Sequence, residues 1–461
     1  MPTTAVAAES PRRFTVPPDM VIEAPPTAEI DPNHAYSLVE LIDIAQRRNP
    51  ATRVAWEQAK QAAISVGIAR AAYLPELTAS AIAGYEHVVF PFPANLVPKG
   101  FISSNIQEVV PQLAVKYLLL DFGGRAATVQ EASQLSIAAN AAFTATHQRV
   151  IFNVARAYFT EDDADAEVRA ARQTVADAQV LQHSAEVMSG RGLATVVNVQ
   201  LARRATAQAQ LDLAQASTAQ HEAMYTLLEA MDLPPTTKLT VENASGRPLP
   251  PRTAHTVDDM LHDALQRRPD LLADVAKLRA TDAKIAEARS ALAPKVSLGG
   301  NVQGNFSQMN VDNGPYLGVH RPQGALLLRF EWSLYEGGLL QNKLNLARSQ
   351  REEAADELTG RTDQALREVA LAFDQIETGL QQYEAAVALQ TASEAAFRGA
   401  SDSYARGVGT FTDATTAQTG LASARATVVR AHAQVLINAA ALAFATGSLT
   451  SSAEFATPAR R

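Results

Sequence analysis

The chain has no cysteine in its 461 residues. That absence excludes disulfides, thiolate metal sites, a cysteine nucleophile and a lipidated N-terminal cysteine, and it suits a protein of the oxidising cell envelope. Long hydrophobic runs are missing too. The longest apolar stretch, Val435 to Ala445, is interrupted by Asn438 and falls short of the roughly 20 residues that a helical span requires. No segment therefore reads as a spanning helix, and a membrane would have to be crossed by strands. Basic clusters are also lacking: 40 Lys and Arg stand against 48 Asp and Glu, for a net charge of -8. Without a stripe of cations to neutralise phosphates, nucleic acid is not an expected partner. The N-terminus lacks the basic-then-apolar layout of a secretory signal, although AVAA at Ala5 to Ala8 fits the remnant of a cleavage site.

What is present is a duplication. Residues 1–33 are rich in proline, including Pro11, Pro17, Pro18, Pro25, Pro26 and Pro32, and read as an extended arm. Beyond it, Pro50 pairs with Pro269, Ala69 with Ala288 and Pro75 with Pro294, all at an offset of 219. DFGGR from Asp121 matches YEGGL from Tyr335 with Gly123 facing Gly337, an offset of 214, and Arg191 matches Arg406 at 215. Units of this length are far longer than solenoid repeats, so the chain reads as two similar halves, 34–245 and 246–449, followed by a tail over 450–461.

Each half reads as a short helix, two strands, a long helix, a tight turn and another shorter helix. Leu366, Val369, Phe373, Ile376, Leu380, Tyr383 and Val387 alternate spacings of three and four, a coiled-coil seam. The strand regions are 75–122 and 294–335. In the second, Val296, Leu298, Gly300, Val302, Gly304 and Phe306 occupy alternate positions, as do Leu326, Leu328, Phe330, Trp332 and Leu334, so one face is apolar. Aromatics concentrate in these regions, as an interfacial girdle requires. A helix from about Gly124 to Gly190 would run about 100 Å at 1.5 Å per residue. That is too long for a globule. Helices over Thr195 to Met231 and Val257 to Ala291 stack to match it, and Tyr36 to Ala72 with Thr410 to Thr446 match a second one over Gly338 to Arg406. The result is a coiled-coil wall with strands at one end and the two helix turns at the other. Because about four strands cannot close a barrel, the chain must oligomerise.

Both turns carry a glycine to end one helix and a threonine to cap the next. They are Gly192, Leu193, Ala194 and Thr195 in the first half, and Gly407, Val408, Gly409 and Thr410 in the second. Asp413 stands three residues past Thr410, the position from which a capping box closes. No nucleophile, base and orienter can be nominated, and neither catalysis nor a cofactor or metal is expected. His255 and His262 read as solvated. The acidic run Glu161, Asp162, Asp163, Asp165 and Glu167 reads as a solvated or lumen-facing stripe.

The junctions ARAAYLP (Ala69 to Pro75) and ARSALAP (Ala288 to Pro294), the DFGGR and YEGGL motifs, and the turns RGLATVVNVQLA and ARGVGTFTDATTAQ occur in order and twice. In this the chain closely resembles the TolC-like outer membrane factor family, over nearly everything after the proline-rich arm. The resemblance implies a mixed α/β membrane protein: a homotrimer whose strands form a 12-stranded β-barrel among outer-membrane lipids, continued by a periplasmic α-helical coiled-coil barrel. It implies a passive exit duct for efflux or type I secretion. A periplasmic adaptor would meet the two turns and connect the duct to an inner-membrane transporter. It further implies a periplasmic gate at Asp413, with Thr416 where a second acidic residue is often found and Asn198 at the corresponding place in the first half. The alternatives are a dedicated type I protein-secretion channel and, from another class, a soluble coiled-coil scaffold.

Overall fold

The computed structural model describes residues 30–449, apart from 245 and 253–255. Nearly all of the proline-rich arm, the tail over 450–461 and His255 lie outside the described residues.

Helices occupy corresponding places with equal lengths in both halves. α1 (Leu38–Arg48) and α5 (Val257–Arg267) have 11 residues each, α2 (Pro50–Ala71) and α6 (Pro269–Ser290) 22, α3 (Gly124–Gly190) and α7 (Leu339–Ala405) 67, and α4 (Val196–Ala230) and α8 (Phe411–Ala445) 35. The continuous helices expected over Tyr36 to Ala72 and Val257 to Ala291 each break in two. Pro50 and Pro269 hold the first helical positions of α2 and α6, and the residues before them, Asn49 and Arg268, are extended at ψ 122° and 118°. A proline cannot continue the hydrogen-bond ladder behind it and pushes its predecessor out of the helical region. α1 and α5 start on capping boxes, Ser37 with Glu40 and Thr256 with Asp259.

The strand regions form two hairpins of one antiparallel sheet, β2 (Glu76–Pro91), β3 (Phe101–Leu120), β5 (Lys295–Val311) and β6 (Leu317–Glu331), in the order β2-β3-β5-β6. A separate two-residue parallel pair joins β1 (Ala35–Tyr36) to β4 (Thr240–Val241). The register puts Leu77, Val115, Gly300 and Leu326 in one row, and Ala79, Leu113, Val302 and Gly324 in the next. This face is apolar. The other carries Ser80, Gln112, Gln303 and Gln323 in one row. Leu326, Leu328 and Phe330 of β6 and Leu77 and Tyr85 of β2 are exposed, and among the described residues no strand lies beside the outer edges of β2 and β6.

α3 is the spine. It packs against α1, α2, α4, α6 and α8, while α7 packs against α5, α6 and α8. Three buried clusters hold these helices together. The largest gathers Leu41, Ile42, Ile151, Val154, Leu227, Leu228 and Met231 about the middle of α3. A second joins α7 to α8 through Val369, Ile376, Leu380 and Val435, so three of the seven expected seam residues are buried, Leu366, Phe373 and Tyr383 are half-buried, and Val387 is exposed. The third lies near the turns.

Three readings of the sequence need correction. α8, with a mean hydropathy of 1.4 over its most apolar window, is long and apolar enough by composition to cross a membrane. The helix packs on α3 and α7. The glycine pairing is off by one residue. Gly123 (φ 94°) precedes α3 as Gly338 (φ 85°) precedes α7, so Phe122 (φ 51°) takes the left-handed place of Gly337 (φ 65°) and the offset here is 215. The acidic run is not a solvated stripe throughout. Glu161 and Asp162 are only 6% and 5% exposed, and Asp162 Oδ1 accepts the Ala244 amide at 2.8 Å. Burial, reinforced by the Asp162 charge and opposed by Arg169, pushes Glu161 up to about 7. Burial and Glu167, opposed by Arg430, push Asp163 up to about 6.

Candidate functional site

The two turns lie at the end of the helices remote from the sheet. Each is a hydrogen-bonded left-handed stop. Gly192, at φ 73°, donates to the Ser189 carbonyl at 2.9 Å, and Leu193 donates to Met188 at 2.9 Å. Gly407, at φ 79°, donates to Tyr404 at 2.9 Å, and Val408 donates to Ser403 at 3.0 Å. These paired bonds are the Schellman pattern, which satisfies carbonyls left over at a helix end and which glycine adopts without Cβ strain. Thr195 then caps α4, accepting the Asn198 amide at 3.3 Å, and Thr410 caps α8, accepting the Asp413 amide at 3.1 Å. The Thr410 hydroxyl in turn donates to Asp413 Oδ2 at 2.7 Å.

The two turns are neighbours: a Cβ added at Gly407 would lie 3.4 Å from Met188 Cε of the first turn. Behind them Leu181, Ala185, Val199, Ala202, Tyr404, Phe411 and Ala414 form a small core, with the Tyr404 and Phe411 rings edge to face at 5.5 Å. Around it, Leu193 (67% exposed), Val196 (70%), Val197 (64%) and Val408 (81%) present apolar side chains to solvent. Asp413 and Thr416 are exposed on the first turns of α8, and Asn198 is half-buried on α4.

One feature here escapes sequence reasoning. Gly409 matches Ala194 in the first half, yet a Cβ on it would sit 2.9 Å from Ser403 Cβ and 3.1 Å from the Tyr404 nitrogen, so the second turn is the tighter. Val196 and Val197, apolar residues opening α4, are exposed and add to the surface of the first turn. Among the described residues no group of three or more His, Asp or Glu is placed to hold a metal ion, and His262 is exposed, bonded to Gln266 at 2.8 Å.

A family model for outer membrane efflux proteins matches residues 41–232 and 260–448. Protein CyaE of Bordetella pertussis is 29% identical over 434 residues, covering 92% of this chain and 86% of that protein. Outer membrane protein OprJ of Pseudomonas aeruginosa is 27% identical over 388 residues, covering 80% and 75%. In fold, the chain is similar to the Campylobacter jejuni CmeC outer membrane channel, with a TM-score of 0.76 at 19% identity over 90% of this chain and 86% of that one. A soluble scaffold is thereby set aside. With both of its halves matched, the chain belongs to the outer membrane efflux protein family, channels and not enzymes, and is an outer-membrane duct for efflux or secretion with a periplasmic helical extension.

Proposed function

We propose that three copies assemble into one duct, with twelve strands closing a barrel among outer-membrane lipids and the helices continuing it as a periplasmic tunnel. The observation that carries this reading is a four-stranded sheet with one apolar face and two edges that no strand among the described residues pairs, which hydrocarbon does not tolerate until the edges are closed. On this reading 34–245 and 246–449 are structural repeats. The turns Gly192 to Thr195 and Gly407 to Thr410 receive a periplasmic adaptor that couples the duct to an inner-membrane transporter. The exposed Leu193, Val196, Val197 and Val408 supply an apolar surface of the kind that marks protein contact sites. Asp413, repeated about a threefold axis, gives a negative ring that favours cations, with Thr416 and Asn198 as its uncharged neighbours. Detergent-corrected sedimentation should give three chains per particle, and a stable detergent-free monomer would overturn the reading.

A further inference from the structure

The two faces of the sheet exchange polarity partway along its length. Starting from the helices, the apolar face keeps its character through the row of Ala79, Leu113, Val302 and Gly324 and as far as Ala83, Val109, Phe306 and His320. From Val296 to Phe306 this face takes up eleven residues of β5, and a spanning strand needs roughly 9–11. The next two rows on the same face are polar: Tyr85, Gln107 and Gln308, then His87, Asn105 and Asn310. Their side chains meet across the strands. Asn105 Oδ1 accepts the Tyr85 hydroxyl at 2.8 Å and meets His87 Nδ1 at 2.6 Å, and Asn105 Nδ2 donates to Asn310 Oδ1 at 3.1 Å. Beyond them Asp312 Oδ1 accepts the Ser103 amide at 3.1 Å.

The opposite face changes in the reverse sense at the same level. Nearer the helices it carries the row of Ser80, Gln112, Gln303 and Gln323. Further out it sets Ile106, Met309 and Leu317 in one row beside Glu86, then Val88 and Val311 on either side of Ser104, then Phe90 opposite Ile102. Ser104 is satisfied locally, its hydroxyl donating to the Asn310 carbonyl at 3.0 Å. The loop between β2 and β3 adds Phe92, Leu96 and Val97 in a compact turn. Leu96 and Val97 donate to the Pro93 carbonyl at 2.9 and 3.1 Å, and Phe92 donates to Gly100 at 2.9 Å.

Resting on the trimer reading, we infer that the strands leave the membrane at the level of Tyr85. Beyond it, the inward rows of the three copies, together with the β2 to β3 loops, form an apolar collar that closes the outer mouth of the duct to water. In a barrel, a face that lies in lipid is apolar and a face that lines a water-filled bore is polar. Leu113 and Val302 meet the first condition, Gln112 and Gln303 the second. Past the reversal both surroundings have changed. The outer face, with its bonded polar rows, stands in water, and the inner apolar side chains are stable only against one another. In the single chain Leu317, Val311 and Met309 are exposed, so they have surface left to bury there. A constriction lined by such side chains sheds its water and stops ions without any charge. The collar stands at the opposite end of the duct from Asp413 and works by a different principle.

The chain has no cysteine, so single introduced cysteines report without background from the duct itself. Each variant is first sized in detergent, which tests the trimer separately from the collar. The probe is a polyethylene glycol maleimide too large for porins, added to intact cells. Gln308→Cys, on the outer face past the reversal, should react, and Val302→Cys, on the same face within the apolar band, should not. Gln303→Cys, on the inner face below the collar, should be shielded in otherwise unaltered trimers. Ile106→Asn with Met309→Asn should speed its labelling at least about tenfold, because burial of an apolar side chain is worth that factor or more in an equilibrium. Leu317→Asn, at an exposed position on β6, should act in the same direction with less disturbance of the sheet. Labelling of Gln303→Cys as fast as that of Gln308→Cys, or no acceleration by either collar variant, would overturn the closed collar. A Gln308→Cys as shielded as Val302→Cys would overturn the level at which the strands leave the membrane.

Discussion

Gly407→Val isolates the left-handed stop at the tip. A Cβ there would meet only Met188 Cε, at 3.4 Å, so the penalty comes from the backbone and not from a clash. Holding an L-residue in the left-handed region costs about 1–2 kcal/mol, and a β-branched side chain sits at the upper end. In the proposed trimer that would be about 3–6 kcal/mol concentrated at one end of the assembly. The Val408 and Gly409 amides, both bonded to the Ser403 carbonyl at 3.0 Å, should open more often. By the arithmetic of 1–2 kcal/mol, their hydrogen exchange should accelerate about 5- to 30-fold. The β3 and β5 amides, remote from the turn, should be unaffected, as should the thermal transition of the barrel. Adaptor crosslinking should fall in step with the exchange rates. Unchanged protection at both amides, together with undiminished adaptor crosslinking, would refute the claim that the glycine's conformation organises this surface.

Other outcomes follow from particular residues. Asp413→Ala should raise single-channel conductance or weaken cation preference in planar bilayers while leaving the trimer intact, since Thr410 still caps α8 and the lost helix-end charge amounts to about 1 kcal/mol or less per chain; identical conductance and selectivity would confine Asp413 to capping. Glu161, with a folded value near 7 against an ordinary 4.5, is raised, so its protonated form favours the fold: stability present below pH 4.5 declines as pH rises towards 7 and stays low above it. Glu161→Gln should therefore raise the melting temperature at pH 8 and leave it nearly unchanged at pH 4, the gain being of order 1–3 kcal/mol; equal effects at both pH values would show that ionisation is not the cause. Asp232 ends α4 at φ 57° where its counterpart Gly447 ends α8 at φ 71°, so Asp232→Gly should stabilise by about 0.5–1 kcal/mol in chemical denaturation.

Much of this architecture is legible in the sequence because local rules dominate it. Alternation from Val296 to Phe306 marks a strand, three-four spacing from Val369 to Leu380 marks a buried seam, and glycine followed by a capping threonine marks each turn. Other features depend on contacts distant in sequence. Glu161 and Asp162 look like solvent-facing helix residues until the Ala244 amide comes to rest on Asp162. The identity of the Gly123-Gly124 and Gly337-Gly338 pairs draws an alignment to the wrong glycine, because only the backbone shows that Phe122 adopts the conformation of Gly337. At the tip the sequence picks out Gly192 and Gly407, but the crowding at Gly409 depends on how closely Ser403 approaches. The direct bearing of one turn on the other through Met188 is equally invisible without coordinates.

The register of the sheet also governs calibre. Residue Leu77 lies level with Gly300 across the strands, whereas its counterpart in the second half is Val296, so each hairpin climbs four residues relative to the one before. Four residues amount to about 13 Å along a strand, against about 9.6 Å across two strand spacings. The strands of a closed ring must therefore lean at about 54° to its axis, beyond the 35–45° usual for barrels. Slanting widens the circumference each strand occupies: on the proposed trimer, twelve strands so inclined would form a ring about 31 Å across between backbones, where twelve upright ones would give about 18 Å. On the trimer proposed above, a stagger of four residues would thus set the width of the ring.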